Sequence, residues 1–518
     1  MKLTKKTNLP KLEIENSFRV DKTEKNAKLN LVKELLYNSL AQAIIKIFIT
    51  RHTFLRIFLV LFVLILTSLA AFLVVQSILS YLSFEVITMS RKIFETPTDF
   101  PKITICNINM FTSRFSSDLI KDVNEKKLGL PSFFDPKQLK NFSKDRIDEL
   151  FRVVDVSATA FVLDQNFSDI SRQKLAHMFE DILINCQFNY QKCYARDFVW
   201  SFDKFYGNCF SFNAGFNSTG HRTELKKSSV AGWLFGFQLE LYVNYNQNLS
   251  FFNDAKGLLL RVGNNSRSSG ENLDGIRVSS GFRTDVAISR SFNYMLPQPY
   301  SNCQVDKNFE NSNSNLYNLI VASPFQYTQK LCFHECFQQK VILECNCTVS
   351  VFLSLFENSS QCKTVKEIEC AFQIFTNVYL SGNFIKETCI PLCPLECNST
   401  EYKVLLSSNY IAGIRYANYI TQNPNLLDDF DSSEIDSERA RQSFVTLNIF
   451  YDSLSYELST ESPQIDLVSL LASIGGNLSL FLGVSVFSLC ELIEVFIELY
   501  TGSKEKRKSK IGKCSSIT

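Results

Sequence analysis

The chain has 518 residues, with 54 Lys and Arg against 52 Asp and Glu, and 45% of it is hydrophobic. A net charge of +2 gives no bulk electrostatic field for a nucleic acid, so no nucleic-acid partner is expected. The four histidines are scattered, with no His-centred triad among them, which argues against an enzyme and calls for no cofactor or metal.

Charge is nevertheless uneven. Residues 1–56 hold twelve Lys and Arg against five Asp and Glu, and residues 501–518 hold six against one. Residues 1–53 read as a cytoplasmic region. Positions 1–30 are polar and lysine-rich, and Leu31–Phe48 has helical spacing, either along the inner membrane face or as an amphipathic lead-in to a membrane span. Ile57–Phe84 is an uncharged run, too long and too late for a signal peptide. A transmembrane helix is therefore expected over 54–84. A second uncharged run, Leu467–Cys490, predicts another over 465–500, followed by a cytoplasmic tail at 501–518. Basic outer flanks place both termini in the cytoplasm of a multi-pass plasma-membrane protein.

The segment 85–464 is then extracellular, and it is long enough to bury a core of its own. Eight sequons fall inside it, at Asn141, Asn166, Asn217, Asn248, Asn264, Asn346, Asn358 and Asn398. Fourteen of the sixteen cysteines lie between Cys106 and Cys397, an even number suited to an oxidised domain, while Cys490 and Cys514 are expected to stay reduced. Phe100–Asn107 (FPKITICN) reads as a short strand behind a proline. Helical periodicity marks 137–152 and 165–183, and alternation marks strands at Phe235–Tyr245, Thr284–Tyr294, Glu401–Leu406 and Phe444–Tyr451. Gly263–Gly270 reads as a surface loop, and Asn423–Arg441 as a loop passing into a helix. The mixture is α+β. Cys332 and Cys336 stand four apart on a helix and share a face, as do Cys389 and Cys393, so they can form rungs of a disulfide ladder. Zinc is the competing use of such spacings, and an oxidising compartment disfavours it.

The second span is not a plain anchor. Ala472, Ser473, Gly475, Gly476, Ser479, Gly483 and Ser485 give it a small, hydroxyl-bearing side, and Glu491, Glu494 and Glu498 follow at its far end. Glycines inside a span suit backbones that meet closely or line water. The stretch reads as a pore wall, with Glu498 alone better taken as an interfacial residue.

These landmarks resemble the degenerin, epithelial sodium channel and acid-sensing ion channel superfamily. The resemblance is carried by Phe100–Asn107, by Pro299-Tyr300 with Cys303, and by the laddered cysteines through Cys389-x-x-x-Cys393-Pro394-Leu395-x-Cys397. Gly475-Gly476, Gly483-Val484-Ser485 and Glu491 extend it into the second span. It implies a trimer with one pore helix per subunit, a disulfide-rich extracellular domain with a β palm, helical finger and thumb, and passive, amiloride-sensitive Na⁺ conduction. It implies disulfides Cys106–Cys209, Cys186–Cys193, Cys303–Cys397, Cys332–Cys393, Cys336–Cys389, Cys345–Cys370 and Cys347–Cys362. It makes Gly483, Val484 and Ser485 the selectivity filter, Glu491 and Glu494 an acidic ring, and Ala472 the small residue where bulk favours an open pore. Gln42-Ala43 stands where the family has a gating His-Gly, Ser479 where many members have glycine, and Ser473 where acid-sensing members have Asp. The paired histidines of those members fall on Glu85 and Val86. An extracellular ligand such as a neuropeptide is expected to open a homo- or heterotrimer in the lipid bilayer, with protons or force as alternatives. The reading from another class is a two-span receptor or adhesion protein that does not conduct.

Overall fold

The computed structural model describes residues 47–113, 115, 116, 118, 119, 168–243, 256–265, 275–305, 314–323, 325–349, 354–356, 359–423, 435–483, 485, 490, 493 and 497. Its main helices are α1 Thr53–Leu82, α2 Asn315–Ala322, α3 Gln329–Cys345, α4 Val365–Ile374, α5 Gly413–Gln422, α6 Ser437–Gln442 and α7 Leu467–Leu482. Its longer strands are β1 Val86–Phe94, β2 Lys102–Asn107, β3 Leu183–Phe188, β4 Phe198–Asp203, β5 Gly207–Phe212, β6 Phe237–Tyr242, β7 Gly257–Gly263, β8 Ile276–Ser279, β9 Phe282–Tyr294, β10 Asn398–Tyr410 and β11 Phe444–Pro463. Two compact units result, one formed by Thr88–Ser462 and one by the segments on either side of it.

In the flanking unit, α1 is 30 residues of almost unbroken Leu, Val, Ile and Phe. At 1.5 Å per residue it is about 45 Å long, ample for a bilayer core of ~30 Å. Among the described residues it is the one helix long and apolar enough to span. It packs against α7. Large side chains such as Phe54 and Phe72 stay exposed, and only Ala70 is buried along its length. Such a helix is at home in lipid.

The other unit is built on two sheets. The larger has seven strands in the order β10–β9–β11–β6–β3, closed by the two-residue strand Gln191–Lys192, with β1 pairing to β11 off that path. Pairing is antiparallel throughout this path except between β9 and β11. The smaller runs β8–β7–β2–β5–β4, all antiparallel. Aromatic and branched residues from both sheets form one core, including Phe100, Ile103, Phe212, Phe237, Ile288 and Ile449. The Phe212 and Phe237 rings stack at 4.2 Å between centroids, a geometry worth ~1 kcal/mol beyond the area it buries.

The cysteine-rich lobe follows from its caps and its staples. Thr328 accepts the Leu331 N–H to start α3, and Asn346 ends it in the left-handed region at φ 54°. Thr364 and Glu367 form a capping box on α4. Leu331, Cys332 and Cys336 pack with Cys389, Cys393 and α2 in one cluster, and Phe337, Val341 and Cys347 pack with Cys362 and Ile368 in a second.

The sequence periodicity differs from the structure in three places. The helix expected over 165–183 is two short pieces, Asp169–Gln173 and Phe179–Ile182, before β3 begins at Leu183. Buried Leu175 interrupts it, because its carbonyl accepts the Thr112 and Ser113 N–H groups instead of a helical partner. β11 runs on from Tyr451 to Pro463, past the expected end. Of the helix expected over 465–500, the structure describes α7, which stops at Leu482. The segments 1–46 and 137–152 lie outside the described residues.

Candidate pore segment

α7 starts where Asp466 accepts the Ser469 N–H at 2.6 Å and stops where Gly483 takes φ +66°. Only a residue without Cβ adopts that turn at little cost, so Gly483 acts as a C-cap. Ser485 beyond it is non-helical and exposed, whereas Cys490, Ile493 and Ile497 are again helical. The helix described from Leu467 therefore ends within the Gly-x-Ser motif. That end leaves the last carbonyls of α7, and the negative end of its dipole, beside Gly483, where they attract a cation.

Burial along α7 rises at Leu470, Ile474, Asn477, Leu478, Phe481 and Leu482, the stripe that a helix packed on α1 turns inward. Ala472, Gly475, Gly476, Ser479 and Gly483 lie on the other side, and all five are exposed, as is Ser473. Apart from the adjoining residues and the helix's own nearby backbone, no described heavy atom lies within 4 Å of a Cβ built at Gly475, Gly476 or Gly483. Each glycine costs ~1 kcal/mol relative to alanine within a helix, and packing among the described residues does not call for either glycine of the pair. Val484, Glu491 and Glu494 lie outside the described residues, as do Gln42 and Ala43.

The structure joins the fourteen extracellular cysteines in seven bonds: Cys106–Cys209, Cys186–Cys193, Cys303–Cys397, Cys332–Cys393, Cys336–Cys389, Cys345–Cys370 and Cys347–Cys362. Cys106 and Cys209 face each other across β2 and β5. Cys490 is free and exposed. Of the sequon asparagines, Asn217, Asn264, Asn346 and Asn398 are described and exposed. Asn141, Asn166, Asn248 and Asn358 lie outside the described residues.

One buried carboxylate escaped the sequence reading. Glu335 follows Cys332 by three positions, which puts it on the ladder face of α3 and leaves it fully buried. Its Oε2 accepts the Leu355 N–H at 3.1 Å, while Oε1 is buried with no hydrogen-bond partner. Burial pushes its pKa up to about 7, against the smaller opposing effects of the Leu355 N–H and Lys204. The same stretch pushes His334 the other way. Burial and then the Lys330 ammonium lower the imidazole to about 4, so it stays neutral in mild acid. Spacing from Cys332 was the signal that would have found Glu335.

A long apolar helix packed on a shorter one with a small-residue face, together with a disulfide-laddered β-rich unit, makes the class of protein a membrane-anchored, disulfide-rich one. The amiloride-sensitive sodium channel family model matches residues 35–495, and the chain belongs to that family, whose members are ion channels. Acid-sensing ion channel 4-B of Danio rerio is 26% identical over 408 residues, covering 77% of this chain and 63% of that protein. Degenerin-like protein unc-105 of Caenorhabditis elegans is 26% identical over 354 residues, covering 66% and 37% respectively. Epithelial sodium channel subunit alpha of Mus musculus is 25% identical over 319 residues, covering 61% and 43%. The chain thus spans less than two thirds of the length of these three relatives. A proton-activated chloride channel solved by cryo-EM aligns over 85% of this chain and 98% of its own, at a TM-score of 0.30 and 8% identity, too loosely to bear on function.

Proposed function

We propose that the chain is a subunit of a trimeric, sodium-selective channel of the plasma membrane, with both termini cytoplasmic and its pore lined by α7. The observation that carries the reading is the exposed small-residue face turned away from α1, ending at the left-handed Gly483. Three such faces around an axis bring backbones close at Gly475 and Gly476 and direct helix-end carbonyls at a passing ion. Ser485 contributes a hydroxyl to the same place. An anchor or adhesion protein has no use for this arrangement.

An extracellular ligand, for which a neuropeptide is the leading candidate, opens the pore. Proton gating is the second reading, and one residue favours it: Glu335, unlike His334, changes charge in mildly acidic medium. Expression in oocytes with two-electrode recording separates these readings. Ala472→Phe is expected to raise a resting, amiloride-sensitive Na⁺ current, and Ser485→Trp to cut the current or shift its reversal potential. A large inward current on stepping an unliganded channel from neutral to mildly acidic pH overturns ligand gating in favour of protons. Absence of any change in conductance, leak or reversal potential removes α7 from the pore of a channel shown to conduct.

A further inference from the structure

A cavity of about 870 Å³ opens in the Thr88–Ser462 unit between the five-stranded sheet, strand β10 and the residues leading into α3. That volume falls within the range of small-molecule sites, ~300–1,000 Å³. Its floor is one face of the sheet. Register places Lys102 opposite Gly263 and Thr104 opposite both Arg261 and Ser211, so these side chains alternate away from the core residues Ile103 and Ile105. Lys102 and Arg261 are therefore diagonal neighbours on adjacent strands, an arrangement of like charges that weakens a sheet. Arg261 is tied to Asp203 at 2.7 Å and lies over the Tyr206 ring. Burial, and then the Arg261 charge, pushes the Lys102 ammonium below the usual lysine range.

Phe325, Tyr402 and Val404, each half-buried, supply an apolar part of the remaining walls. Of the cavity's other acids, Glu396 accepts the Gln329 N–H and Glu401 is exposed. The sequon asparagines Asn264 and Asn398 also line it, both exposed, and glycans there leave room for a small ligand rather than a folded partner.

We propose that this cavity binds an organic carboxylate carrying an aromatic or branched apolar body. The carboxylate lies against Lys102 and Arg261, and the body lies against Phe325, Tyr402 and Val404. A free aryl acid and the C-terminal carboxylate of a short peptide share this chemistry. The assignment deepens the ligand-gated reading and rests on it only for the effect on current.

Calorimetric titration of the purified full-length chain in lipid nanodiscs tests it. The probes are naphthalene-2-acetate, the peptide Gly-Val-Phe with a free C-terminus, and the amide of each. Binding of either acid, with its amide at least about tenfold weaker, is the expected result for a charge-assisted contact. The stronger of the two acids identifies the source. Lys102→Met should lose that preference and Lys102→Arg should retain it. Val404→Trp, which fills the wall without touching the charge, should abolish binding with the disulfide pattern unchanged. Equal affinity for acid and amide, undiminished binding by Lys102→Met or Val404→Trp, or no heat from either acid at millimolar concentration overturns the proposal. Loss of binding with current intact speaks against this cavity alone, whereas binding without any current speaks against the channel reading alone.

Discussion

Glu335 and Gln338 sit on the same buried stretch of α3 and differ in how their burial is compensated. The Gln338 amide donates to the Val349 carbonyl and accepts the Val349 N–H, both at 2.9 Å, so its burial is fully compensated. Glu335 has one such bond and one buried oxygen without a partner. Because its pKa in the fold, about 7, lies above the ordinary 4.5, the folded chain holds a proton that the unfolded chain releases between those values. This contribution to stability is therefore fully present below about pH 4.5 and is lost as pH rises through about 7, by ~3 kcal/mol at most. Glu335→Gln should remove that dependence and protect α3 at neutral pH. Hydrogen exchange of Gln329–Cys345, corrected for intrinsic rates at pH 5.5 and 7.5, reads the effect directly. An unchanged pH dependence in the variant would assign it to another group.

At the scale of elements, the ladder holds α3 against the segment around Cys389 and Cys393. Replacing Cys336 and Cys389 together by serine should cost ~2–4 kcal/mol, with the model-dependent spread that loop closure carries. The melting temperature should drop accordingly, and non-reducing peptide mapping should show the other six bonds intact. Scrambled linkages or free thiols at Cys332 in the unaltered chain would contradict the ladder. Cysteine spacing made the shared helical faces of Cys332 with Cys336 and of Cys389 with Cys393 legible, while the pairing itself came from the family resemblance. The strand at Phe100–Asn107 was legible for a similar reason, with a proline ahead of it and a clear Ile/Thr alternation. The hairpin of β4 and β5 was not. Its burial runs through both faces, at Gly207, Asn208 and Cys209 in succession, and so leaves no period of two. Past Tyr451, β11 is half-exposed and polar, and it is held as a strand by its ladder with β9, which resumes at Arg290 after an irregularity. No local pattern announces a partner so distant along the chain. Within the second span the small residues were plain to see, but a glycine among leucines does not declare whether it packs, bends or ends a helix. Only the φ of Gly483 distinguishes these cases.

On the scale of the whole molecule, composition and flanking charge divided the chain into membrane and extracellular parts before any fold was visible. In three dimensions the chain forms a compact unit, Thr88–Ser462, and a second unit made of the segments on either side of it. The family match over residues 35–495 covers the whole of the first of these units and parts of its flanks. The central claim concerns a single helix face, and cysteine accessibility tests it most directly. In an Ala472→Phe channel with Cys490 replaced by serine, Ser479→Cys and Leu478→Cys differ by one position and about 100° around α7. A membrane-impermeant, positively charged thiol reagent applied outside should block the current through Ser479→Cys and leave Leu478→Cys unaffected. Equal block of both, or block of Leu478→Cys alone, would contradict the assignment of the small-residue face to the ion pathway.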